Sequence, residues 1–145
     1  MRRTRDDEGA AMVEFVVLAV TLAVPLCYLL LAVFDVQRTA FGASAATREA
    51  ARVFVRSPST AVAEERARAA ASITLADHGI EMSPGDLAIS CSASPCLTPG
   101  GTVLVSYQTK VRLPLLPFPG LDDIAVVPVS AEHRQVVDEY SQVRP

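Results

Sequence analysis

Apolar residues in this chain fall first as a dense block, then as a one-sided stripe, and last as strict alternation. Residues 15–34 carry no charge for 20 positions and are interrupted only by Thr21 and Pro25. At 1.5 Å per residue a helix of that length is about 30 Å long, which matches the hydrocarbon core of a bilayer. The block is apolar on every side, and too little chain follows to wrap such a helix inside a soluble core. Residues 15–34 are therefore expected to span a membrane. Helical character continues over residues 35–55, which hold no Pro, one Gly and many Ala, with Val36, Ala40, Ala43, Thr47, Ala50 and Phe54 near one face.

Ser57 and Pro58 mark a break, with Ser57 as a cap and Pro58 in a first turn, and residues 61–77 form a second helix. His78 falls near the C-terminus of that helix as a dipole-favoured side chain, and Gly79 as the residue just past its end. Period-two alternation then predicts strands over residues 87–92, 102–113 and 124–137, the second running through Val103, Val105, Tyr107, Thr109 and Val111. Residues 95–101 are the first turn region, and residues 114–120 a Pro-rich connection. Pro128 requires the last strand to start late, bend or lie at an edge. The expected fold is α+β: a long N-terminal transmembrane and stalk helix, a second helix, and a small antiparallel sheet of about three strands with the helices on one face.

Charge fixes the orientation. Arg2, Arg3 and Arg5 precede the apolar block, whereas Asp35 follows it with Arg38 as the only nearby cation, so the N-terminus is expected in the cytoplasm and the rest outside. A net charge of -3 and 13 scattered Lys and Arg give no basic field for nucleic acid. Of three cysteines, Cys27 lies inside the block as a buried thiol, with Leu26 before it where a lipoprotein signal needs a small residue. Cys91 and Cys96 have no further Cys or nearby His to complete a zinc set, and an extracytoplasmic location favours a disulfide. The block is too long for a cleaved secretory signal, whose small-x-small site would have to be sought at Ala43 and Ala45, beyond the block and inside the helix.

Glu14 stands directly before the block, with apolar residues 10–13 on its other side. A carboxylate at a membrane boundary is retained either for a partner charge or because the helix N-terminal dipole favours it, and the residue alone does not choose between them. Its setting, Gly9-Ala10-Ala11-Met12-Val13-Glu14-Phe15, resembles the processing motif of type IV pilins and pseudopilins. That resemblance implies cleavage by a prepilin peptidase after Gly9, a new N-terminus at Ala10, and Glu14 as the fifth mature residue. Residues 1–9 would then be a cytoplasmic leader, 10–34 the pilin-like membrane helix, 35–56 its extracytoplasmic continuation and 57–145 a small α+β domain. Glu14 and Phe15 would serve subunit pairing, the carboxylate neutralising the Ala10 ammonium of a neighbour. The acidic Asp6, Asp7 and Glu8 depart from the usual leader.

Asp35-Val36-Gln37-Arg38, followed by Ala46-Thr47-Arg48-Glu49-Ala50-Ala51-Arg52, resembles the TadE-like group of pseudopilins, with Thr47 and Ala50 in place of the group's Ala and Gly. The residues alone read Arg48, Glu49 and Arg52 as solvated charges. The resemblance implies a minor pilin or pseudopilin of a Flp (tight adherence) pilus, with the membrane, a prepilin peptidase, other pilins and assembly-platform proteins as partners. A pseudopilin of a secretion or DNA-uptake machine and a signal-anchored binding domain are the alternatives. No enzyme and no cofactor or metal are expected. His78 and His133 fall in no nucleophile or zinc motif, Glu64-Glu65 and Asp122-Asp123 read as solvated pairs, and Glu132-His133-Arg134 as a polar strand face.

Overall fold

The computed structural model describes residues 5–113 and 126–140, with side chains from residue 11 onward. Its elements are α1 (Arg5–Val55), α2 (Thr60–Asp77), β1 (Leu87–Cys91), β2 (Thr102–Arg112) and β3 (Val126–Val136). This is the expected α+β order. The Pro-rich connection at residues 114–120 lies outside the described residues.

Helix α1 is one element with two environments. Residues 11–31 are exposed at every position, and Ala32 is the first to be buried. Beyond it Thr39, Ala43, Ala46, Thr47, Ala50, Ala51 and Phe54 are buried at helical spacing, while Ala40, expected on this face, points outward and Thr39 takes its place. The two threonines are buried at little cost because each hydroxyl donates to a carbonyl of its own helix, Thr39 to Asp35 at 2.9 Å and Thr47 to Ala43 at 3.0 Å. Arg48 and Arg52 are exposed, and Arg52 Nε lies 3.4 Å from Glu49 Oε2, which matches solvated charges of small energetic weight.

The break between the helices is set differently from the expected cap. The Ser57 hydroxyl donates back to the Val53 carbonyl at 2.9 Å and so closes α1, whereas Ser59, in extended conformation, is the N-cap of α2 through its carbonyl, which accepts from Ala63 at 2.8 Å. Helix α2 buries Ala63, Ala67, Ala71 and Leu75, a stripe at every fourth residue that lets it lie close to the alanines of α1. It ends in a Schellman motif: Ile80 N–H donates to Leu75 at 2.9 Å and Gly79 N–H to Ala76 at 2.8 Å, with His78 as C-cap and Gly79 at φ 69°.

The sheet is antiparallel in the order β1-β2-β3. Its covered face carries Leu87, Tyr107 and Ala131 in one cross-strand row and Ile89, Val105 and His133 in the next. His133 therefore points to the opposite face from Glu132 and Arg134, and the expected single polar face divides, with only the latter two on the open side. Helix α1 lies across β2 and β3, while α2 packs on α1 and reaches β1 where Arg68 Nη1 donates to the Leu87 carbonyl at 3.1 Å. Pro128 sits opposite Lys110 on β3, an edge strand, so its missing N–H removes nothing from the ladder's interior.

Candidate functional site

The residues singled out by sequence gather at the N-terminal half of α1. The Gly9–Ala10 bond falls within the first two turns of the helix, and Glu14 and Phe15 follow a turn later, both exposed. Glu14 shares a helical face with Val17, Leu18 and Thr21, whose hydroxyl donates to the Val17 carbonyl at 2.7 Å. Among the described residues no cation pairs with Glu14; the ion pairs are Arg38–Asp35 and Arg52–Glu49, both beyond the apolar block. Pro25 lies inside the helix and, lacking an N–H, leaves the Thr21 carbonyl without its usual helical donor. Cys27, expected as a buried thiol, is exposed along with its neighbours.

Physical cover is what this segment lacks. Its most apolar 18-residue stretch has a mean hydropathy of 2.7, and 6% of that stretch is buried within the protein. Such a helix is not the core of a soluble domain, and its continuous apolar surface far exceeds the patches that soluble monomers expose. It is long and apolar enough to cross a membrane once.

Elsewhere the chemistry is structural. Cys91, the last residue of β1, and Cys96 form a disulfide with their Cα atoms 5.3 Å apart, so the bridge ties the β1 end to its own loop rather than to β2. That loop is further closed by Gly100 N–H donating to the Val137 carbonyl at 3.1 Å and by Val137 N–H donating to Gly101 at 2.8 Å. A polar hollow of about 700 Å³ between the turn at Ser83–Asp86 and the Lys110 end of the sheet holds no His or Cys. No group of three or more His, Cys, Asp or Glu able to hold a metal occurs among the described residues. His78 and His133 are separated by the fold, the first at the end of α2 and the second on β3 beneath α1.

Two features escaped the sequence reading. Gly42 lets the end of α2 approach α1, since a Cβ there would stand 2.8 Å from Ile80 Cδ1 and 3.0 Å from His78 Cβ. The second is an apolar groove where the last turns of the apolar block meet the sheet. A lone Gly in an Ala-rich helix hinted at the first; nothing in the sequence pairs Leu113 or Val127 with Leu29.

Comparison with known proteins gave no match: no family model, no curated protein and no solved structure matches the chain.

Proposed function

We propose that the chain is a TadE-like minor pilin or pseudopilin of a Flp pilus assembly system, cut after Gly9 by a prepilin peptidase and held in the cytoplasmic membrane with its domain outside. The observation that carries this reading is the junction of motif and structure. Gly9-x-x-x-x-Glu14-Phe15 runs without interruption into an exposed apolar helix, and that helix runs on, without a break, into the core of the domain. A subunit built this way joins its apolar half to its folded half through a single helix.

Positions 10 and 14 are one helical turn apart, about 6 Å along the axis. A new ammonium at Ala10 and the Glu14 carboxylate then lie about one turn apart in depth, both at the start of the apolar block, so a neighbour shifted by about that distance brings one against the other. An unpaired charge there is costly, so a neighbour that offers the opposite charge gains both association and register. No nucleophile, general base or cofactor cradle enters this role: the protein acts as a substrate of processing and as a packing unit.

The deciding experiment is the intact mass of the protein purified from its native membrane, with and without the host prepilin peptidase. Peptidase-dependent loss of residues 1–9 is the expected result. An unprocessed N-terminus in both strains would sink the pilin reading and leave a signal-anchored domain.

A further inference from the structure

The folded domain does not stand clear of the apolar block. Leu29, Ala32, Val33 and Val36 on α1, with Leu113 and Val127 from the facing ends of β2 and β3, line an apolar groove of about 420 Å³. From Leu29 to Val36 the groove extends about 10 Å along the helix. Leu29 lies five residues before the end of the uncharged block at Phe34, so the lower half of the groove is at the depth of the block itself. Its walls are continuous with the surface that the block presents: Leu29 is 60% and Val33 43% exposed. Water filling an apolar groove beside hydrocarbon is the costliest of the available occupants.

Charge lies next to the groove. Arg112, one residue from Leu113, and Lys110, two residues further, are exposed on the open face of β2. At about 3.3 Å per strand residue they lie roughly 3 and 10 Å from Leu113 along β2, on the side away from the strand's end. Headgroup layers occupy about 5 to 7 Å on each side of the hydrocarbon, so with Leu113 at the hydrocarbon edge these two long cationic side chains are within reach of the phosphates.

We propose that the Arg112–Val126 end of the β2–β3 pair rests on the bilayer: phospholipid acyl chains fill the groove at Leu29, Val33, Leu113 and Val127, and Lys110 and Arg112 meet the headgroup phosphates. The domain is thereby seated on the membrane surface, which fixes its tilt before any assembly. The proposal rests on residues 15–34 spanning the membrane.

The chain has no Trp, so single substitutions report cleanly on depth. Leu22→Trp, Val127→Trp and Val136→Trp would be placed one at a time in the full chain, reconstituted in phosphatidylglycerol-containing nanodiscs with lipids brominated at shallow or deep acyl positions. Leu22→Trp should be quenched by the deep bromines. Val127→Trp should lose at least about half its emission to the shallow bromines, and Val136→Trp, at the far end of β3, should lose none. Leu113→Trp repeats the measurement from the facing strand, in case Val127→Trp disturbs the fold. Lys110→Glu with Arg112→Glu should reduce the quenching at position 127 roughly twofold.

Quenching at position 22 without quenching at 127 and 113 overturns the proposal, whether a second copy or residues 114–125 cover the groove instead. Absence of quenching at position 22 overturns the membrane reading itself, and the proposal with it. Quenching at 127 that ignores the charge reversal overturns the assignment of the two cations.

Discussion

The two halves of α1 cover their apolar surfaces in opposite ways. Residues 11–31 point large side chains such as Leu22, Leu26 and Leu29 outward, with nothing from the protein over them, while residues 43–51 turn small ones, Ala43, Ala46, Ala50 and Ala51, into a core. In water the preference is the reverse, because burying a large aliphatic side chain is worth about 1.5 to 3 kcal/mol and burying an alanine much less. The first half therefore needs an apolar surrounding that the described residues do not supply, and the second needs tight cover. Small residues in the second half let α2 and the sheet approach closely, so helix contact replaces side-chain bulk. One continuous helix thus passes from an outward-facing apolar code to a packing code within a few residues of Ala32.

The contrast predicts that damage in one half should leave the other standing. Phe54 is the largest aliphatic or aromatic side chain that α1 buries completely. Phe54→Ala should cost the domain about 3 to 5 kcal/mol, read as a large fall in its thermal midpoint in detergent, with membrane fractionation unchanged. Leu22, 63% exposed, should behave in the opposite manner. Leu22→Asp should weaken membrane insertion by about 2.5 to 3.5 kcal/mol, seen as protein lost from the carbonate-resistant fraction, while the domain's melt stays at the wild-type value. If Leu22→Asp lowered the domain's melt as much as Phe54→Ala, the two halves would not be separate.

Much of this division was legible in the sequence because it is periodic. The uncharged block, the Ala-rich α2 with Gly79 past its end and the alternation of β2 each follow from local chemistry. Ser57-Pro58-Ser59 was harder, since either serine can cap and only the back-bond from Ser57 to Val53 assigns the role to Ser59. The face of α1 was nearly right, but a phase error of one residue exchanged Ala40 for Thr39, whose hydroxyl is satisfied by its own helix and so does not resist burial. His133 was read with its neighbours as polar, although alternation alone places it on the other face. For the candidate site, Gly9 and Glu14 were visible as a motif, whereas the groove was not, because it joins residues 29–36 to 113 and 127 through the tertiary fold.

Gly42 tests how tight the cover over the second half must be. Alanine there gains about 1 kcal/mol of helix propensity but places its Cβ 2.8 Å from Ile80 Cδ1, and overpacking of that kind costs about 1 to 3 kcal/mol. Gly42→Ala should therefore destabilise the domain by about 1 kcal/mol in a chemical melt. Ile80→Val in the same background should recover part of the loss by drawing back the contacted methyl. A neutral Gly42→Ala would show that the end of α2 gives way easily and that the close approach is incidental.

Tyr107 gives the smallest effect and the one that separates polar from apolar cover. Its ring is fully buried at the centre of β2, and its hydroxyl has no hydrogen-bond partner among the described residues. Burial pushes the phenol above its ordinary value of 10.0, with the nearby Asp86 carboxylate adding to the rise and Thr109 partly opposing it. An acid whose folded pKa is raised holds its proton longer in the folded state than in the unfolded chain. Its contribution is complete below pH 10.0 and is lost as pH climbs above that value, where the unfolded chain ionises first. Tyr107→Phe removes both the unsatisfied hydroxyl and this titration, so at pH 7 it should leave the domain as stable as the wild type or about 1 kcal/mol more so. Above pH 10 its melting temperature should fall less steeply than that of the wild type. A loss of stability at pH 7 would instead show that the hydroxyl is satisfied in solution, and that the core over β2 holds a polar contact amid the apolar side chains packed around the ring.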